Sequence, residues 1–158
     1  MGGIARVPVA IALGSNLGDR DEQLDQAEER LAVLLSGAVA SARYETESVG
    51  GPPNAPSFLN EVVVGTTLLG PRSLLEALQA IEEAAGRERP FVNAPRTLDL
   101  DLILYGDFVI DEPGLRVPHP RFRDRVFVLQ PLAEVAGDWV DPVSGRSVSD
   151  LLHELPPI

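Results

Sequence analysis

Apolar and polar positions recur along this chain in two periods, near two and near 3.6, and the change between them marks its elements. Residues 7–13 form an apolar run that stops at Gly14, a predicted central strand. Gly14-Ser15-Asn16-Leu17-Gly18-Asp19 reads as a turn with a helix start at Asp19. Between 21 and 35, Leu24, Ala27, Leu31, Leu34 and Leu35 recur at helical spacing behind an acidic first turn, and Gly37 is the predicted stop. Residues 38–46 read as a strand, 48–57 as a proline- and glycine-rich loop, and 58–69 as a long strand rich in valine and threonine. Pro71 suits the first position of a helix with Leu74, Leu75, Leu78 and Ile81 on its core face, ending at Gly86. A polar loop (87–95), a strand (95–104), a turn at Gly106-Asp107 and a short strand (108–110) follow. Val117-Pro118-His119-Pro120 is extended by its prolines. Residues 125–135 are helical in pattern despite Pro131, and a last short helix spans about 148–152. The order β-α-β-β-α-β predicts an α+β fold of the ferredoxin-like, split βαβ kind, an antiparallel sheet with helices packed on it. No linker divides the chain, so residues 1–158 are expected to form a single domain.

Composition narrows the chemistry. No apolar run approaches the roughly 20 residues that span a bilayer, the start lacks a signal-peptide core, and cysteine is absent. A cytoplasmic protein without membrane contact, disulfide or zinc–thiolate site is the expectation. The net charge of -11 argues against nucleic-acid binding. All 13 basic residues are arginines, and Arg87, Arg89, Arg96, Arg116, Arg121, Arg123 and Arg125 crowd into one segment. Guanidinium groups grip phosphate bidentately, so the segment predicts a local anion site; ordinary surface ion pairs are the alternative. Without lysine there is no Walker A loop, protein-kinase site or Schiff base.

Asp99 and Asp101 lie within Pro95-Arg96-Thr97-Leu98-Asp99-Leu100-Asp101-Leu102-Ile103-Leu104. The apolar residues of this stretch predict a buried strand, in which residues i and i+2 share a face, so two carboxylates are expected side by side among leucines. They repel unless a cation neutralises them, and Mg²⁺ is commonly held by one or two carboxylates plus substrate phosphates. Arg96, on the same strand, suits a phosphate. These residues point to a magnesium-dependent site for a phosphorylated substrate. A carboxylate pair capping a turn or bridged to arginines is the alternative, at a cost of several kcal/mol if both acids are buried.

Several segments, taken in order, resemble the 6-hydroxymethyl-7,8-dihydropterin pyrophosphokinase family. They are Ile11-Ala12-Leu13-Gly14-Ser15-Asn16-Leu17-Gly18, Phe58-Leu59-Asn60, Gly86-Arg87-Glu88-Arg89, Pro95-Arg96-Thr97-Leu98-Asp99-Leu100-Asp101, and Val117-Pro118-His119-Pro120 with Arg125 and Phe127. The family's fold is also ferredoxin-like. The resemblance implies transfer of pyrophosphate from ATP to the pterin hydroxymethyl group, with release of AMP. It places two Mg²⁺ ions at Asp99 and Asp101, and phosphate contacts at Arg96, His119 and Arg125. Arg87 and Arg89 would close over the site, and Gln79 and Glu82 would meet the nucleotide. Phe58 and Phe127 would stack on the pterin, Asn60 would bond its edge, and Thr46 and Val49 would add contacts. ATP and the pterin are the partners so implied, and a monomer is expected. Ser48, Ala55 and the missing tryptophan near Asn93 depart from the family pattern. Rival readings are a nucleotidyl- or sugar-transferase with an Asp-x-Asp metal motif, and a noncatalytic ferredoxin-like module that only binds metal.

Overall fold

The computed structural model describes residues 5–16, 18–46, 57–86 and 98–156. Its central strand β1 (Val7–Ser15) pairs antiparallel with β4 (Phe58–Thr67) on one side and β5 (Asp99–Tyr105) on the other. Two short strands, β2 (Ser36–Ala40) and β3 (Tyr44–Thr46), share the far edge of β4. The main path is β2-β4-β1-β5. A separate ribbon joins β6 (Ile110–Glu112) to β7 (Leu115–Val117).

Alternation along the strands gives the sheet two apolar faces. Val9, Ile11 and Leu13 meet Leu24 and Leu31 of α1 (Arg20–Leu34) and Leu74 and Leu78 of α2 (Pro71–Gly86). Ala10, Val62, Val64 and Leu104 meet Phe122, α3 (Val126–Ala136) and α4 (Val148–Glu154). The molecule is a mixed α/β structure whose antiparallel sheet lies between two helical layers. Helix starts follow the side chains: Asp19 accepts the Glu22 N–H at 3.0 Å, and Ser147 accepts that of Asp150 at 3.1 Å. Among the described residues no helix is long and apolar enough to cross a membrane.

Several expected boundaries move. Gly37 does not end α1; it lies inside β2 at φ +64°, where Ser36 faces Thr66 but Val39 faces Val64. That register holds one extra residue, a bulge for which positive φ is suited. The expected strand 38–46 is two strands, because the Ser41 hydroxyl takes the Val62 N–H at 3.0 Å and interrupts the ladder. The strand expected at 108–110 forms later, since a turn at Gly106 brings the Phe108 N–H back to the Tyr105 carbonyl at 3.1 Å. α3 runs unbroken through Pro131, whose missing N–H leaves the Phe127 carbonyl without its helical donor.

A second bulge matters more. Ala10 faces Leu104 while Ile11 faces Leu102, so Ile103 is the extra residue on β5. The phase of the strand flips there. Asp99 and Asp101 share a face with Leu104, three residues beyond, rather than with Leu100 and Leu102.

Candidate active site

Toward its C-terminal end β1 carries Gly14, with Asn60 of β4 opposite on one side and Asp99 of β5 on the other. Asp101 stands opposite Ala12. The face is that of α3, but both aspartates are exposed. Leu100 and Leu102 point the other way, into the core under α1 and α2. This corrects the picture of acids buried among leucines. Water screens the two carboxylates, and the several-kcal/mol cost of burying them does not arise.

Beside them the amide of Asn60, 6% exposed, is fixed. Its Nδ2 donates to Thr46 Oγ1 at 2.8 Å and to the Tyr44 carbonyl at 3.2 Å. Both hydrogens are used, which leaves Oδ1 as an acceptor. A Cβ added to Gly14 would lie 3.5 Å from that Oδ1 and 3.7 Å from the Phe58 ring. Gly14 is thus a bare floor between an amide oxygen and an aromatic side chain. Thr46 faces Phe58 in the β3–β4 register, and both are half-buried.

The bulge brings in a further group. The carbonyl of Ile103 accepts the His119 N–H at 2.9 Å, which ties the Val117-Pro118-His119-Pro120 segment to β5. The half-buried imidazole is held below the usual histidine range, first by burial, with Arg125 and Arg121 adding to this and Asp101 opposing it. Its Nδ1 accepts the Arg121 N–H at 3.2 Å, so the neutral ring carries its proton on Nε2. Arg125 caps α3 and lies 5.6 Å from the centre of the Phe127 ring, which is 37% exposed in the helix's first turn.

Gln79 and Glu82 lie one turn apart on α2. Gln79 is exposed, whereas Glu82 accepts the Leu100 N–H at 2.7 Å and fastens the outer edge of β5 beside Asp99. Val49, Arg87, Arg89 and Arg96 lie outside the described residues. Thr46, Phe58, Asn60, Asp99, Asp101, His119 and Arg125 gather at one end of one sheet face.

The arginine-rich segment divides. Arg116 pairs with Asp111 at 3.0 Å on the surface. Arg123 Nη2 holds Asp141, which has no solvent exposure, at 2.8 Å. Burial pushes that carboxyl up, but Arg123, the Ser144 hydroxyl and the Val143 N–H outweigh it and hold the group at about 2. These two arginines serve the fold. A groove of about 470 Å³ lined by Arg6, Pro8, Phe108, Trp139 and Val140 lies at the opposite end of β1 from the aspartates. Sequence reasoning missed Gly14 as a floor, and also the bond from the Tyr44 hydroxyl to Glu134 of α3 at 2.6 Å. Those partners lie 90 residues apart and no local pattern links them.

The family model for 7,8-dihydro-6-hydroxymethylpterin-pyrophosphokinase matches residues 10–137. The 2-amino-4-hydroxy-6-hydroxymethyldihydropteridine pyrophosphokinase of Pseudomonas aeruginosa is 44% identical over 151 residues, 94% of this chain and 91% of that one. The Synechocystis protein of the same name is 41% identical over 147 residues, 92% of this chain and 74% of the relative. In fold, the chain is similar to the crystal structure of Plasmodium falciparum HPPK-DHPS wild type. The TM-score is 0.75 at 15% identity, over 98% of this chain and 45% of that one.

Proposed function

The chain belongs to the 7,8-dihydro-6-hydroxymethylpterin-pyrophosphokinase family, and on that premise we propose that the open end of its sheet is where the family's reaction takes place. The enzyme transfers pyrophosphate from ATP to the hydroxymethyl group of 6-hydroxymethyl-7,8-dihydropterin in folate biosynthesis, releasing AMP. The observation that carries the placement is the register of three strands. It sets two exposed carboxylates across a glycine from a fixed amide and a phenylalanine.

In this reading the pterin lies on the Gly14 floor. Asn60 Oδ1 accepts from its ring edge, Phe58 and Phe127 stack on it, and Thr46 and Val49 add contacts. Asp99 and Asp101 offer hard carboxylate oxygens on one exposed face, a donor set that fits Mg²⁺, and we assign them two ions. Magnesium held by Asp99 and Asp101 would neutralise phosphate charge and act as a Lewis acid on the phosphoryl oxygens. The neutral His119 donates its Nε2–H to a phosphate oxygen, and Arg125 and Arg96 add positive charge. Arg87 and Arg89 close over the nucleotide, which also meets Gln79 and Glu82 on α2. The pterin hydroxyl oxygen attacks the β-phosphorus and releases its proton to solvent, the bond from that phosphorus to the oxygen bridging the α-phosphate breaks, and AMP departs with that oxygen. Positioning supplies most of the rate, so the protein needs no nucleophile of its own.

The strand order β2-β4-β1-β5, antiparallel throughout, supports reading the sheet as ferredoxin-like. We also read residues 1–158 as one domain, acting as a cytoplasmic monomer. Incubation with ATP, Mg²⁺ and the pterin, followed by nucleotide analysis, tests the function. AMP and pyrophosphorylated pterin should form in equal amounts; ADP or free pyrophosphate in place of AMP would refute it.

A further inference from the structure

Glu134 lies on α3, outside the constellation described above, yet both of its carboxylate oxygens are committed. Oε1 accepts the Tyr44 hydroxyl at 2.6 Å, and Oε2 accepts the Ala42 N–H at 2.9 Å. Each is a hydrogen bond to an ionised acceptor, stronger than a neutral pair. Together they tie α3 to the chain entering β3.

Both ends of that tie lead to the pterin site. On the strand side, β3 has only three residues and is paired with β4 along one edge. The Tyr44 carbonyl and Thr46 Oγ1 of β3 take the two amide hydrogens of Asn60 and so aim Oδ1 at the floor. On the helix side, Phe127 lies seven residues before Glu134. Seven residues are two turns, roughly 10 Å along the same stripe of the helix. One carboxylate therefore couples the strand that orients Asn60 to the helix that carries Phe127.

We propose that Glu134, through the Tyr44 hydroxyl and the Ala42 N–H, is a positioning residue that sets the separation between β3–β4 and α3 and hence the width of the slot that admits the pterin. This rests on the placement of the pterin between Phe58, Asn60 and Phe127. The clamp touches neither reacting atoms nor nucleotide, so its loss acts first on pterin recognition, with a smaller effect through Arg125 at the start of the same helix.

The test uses the full chain with Tyr44→Phe, Glu134→Ala and the double substitution. Initial rates of AMP release are measured against pterin and against ATP, with melting temperatures alongside. Tyr44→Phe should raise the pterin KM about five- to tenfold, with kcat within about twofold and the ATP KM rising less than about twofold. In the Glu134→Ala background the same change should add nothing, because the hydroxyl has already lost its acceptor. An unaltered pterin KM in Tyr44→Phe overturns the proposal, as do equal rises in both KM values or additive effects. If Glu134→Ala does not fold, Tyr44→Phe decides alone, since it removes one oxygen from a partly exposed side chain. A wild type that releases no AMP refutes the functional reading and the proposal with it; an active wild type with an indifferent Tyr44→Phe refutes the positioning role only.

Discussion

Asp99 and Asp101 show how far a single side chain's surroundings change its meaning. Exposed carboxylates carry little folding energy, so their substitution separates catalysis from stability. Asp99→Asn or Asp101→Asn should each lower kcat by about a hundredfold or more while urea midpoints stay near wild type. A midpoint that falls together with activity would mark the pair as structural. Gly14 gives a complementary test. Contacts of 3.5 and 3.7 Å are ordinary packing distances, so a methyl group fits the empty protein. That methyl would occupy the floor assigned to the pterin. Gly14→Ala should therefore keep or slightly raise thermal stability and raise the pterin KM about tenfold or more, with little change in the ATP KM. An unchanged pterin KM would move the substrate elsewhere.

At the scale of elements, short ties do what long ladders do not. Arg43, between β2 and β3, reaches Asp21, Asp25 and Glu28 of α1 at 2.6 to 2.7 Å, and Glu61 of β4 at 3.5 Å. Glu61 is 1% exposed, and its Oε1 has no hydrogen-bond partner. Burial pushes its carboxyl up to about 8, the bond with Glu28 adds to this, and Arg43 opposes it. The folded state thus holds a proton that the unfolded chain releases near the ordinary glutamate value of 4.5. Such a group stabilises the fold fully below about 4.5 and loses that contribution as pH rises through about 8. Urea stability should fall between pH 5 and 8 in the wild type and flatten over that range in Glu61→Gln. A wild-type curve that rises with pH over this interval would contradict the assignment. The Ile103 bulge is the other element-level device: it brings Leu104 onto the face of Asp99 and Asp101 and offers the carbonyl that seats His119.

Across the whole molecule, the site draws on β1, β3, β4, β5, the segment around His119 and the start of α3. Two exposed acids on one face favour cation and triphosphate first, which lowers the electrostatic cost of assembling the remainder. Calorimetry with a nonhydrolysable ATP analogue and Mg²⁺ should show the pterin binding several-fold more tightly than to the protein alone. Equal affinities would remove the ordered assembly.

The alternation of residues 7–13 and the 3.6-residue periods of α1 and α2 were legible in the chain because each element's own burial pattern dictates them. The Asp99-Leu100-Asp101 spacing was legible in the same way, whereas Asn60 and Phe58 stood out only through the family resemblance. The breaks in β pairing at Gly37, Ser41 and Ile103 were not legible, since these residues take up their roles only against a partner strand. Nor did the arginines sort themselves: Arg123 and Asp141 find each other 18 residues apart in sequence, and nothing local distinguishes Arg123 from Arg125. The sequence by itself determined the order of elements, the Asp-Leu-Asp spacing and the family. Tertiary structure alone decided that the aspartates meet water rather than leucine and that a glutamate on α3 reaches a tyrosine on β3. The physical reason is that periodicity is a local property of the chain, whereas strand phase across a bulge and contacts between distant side chains exist only once the sheet has formed.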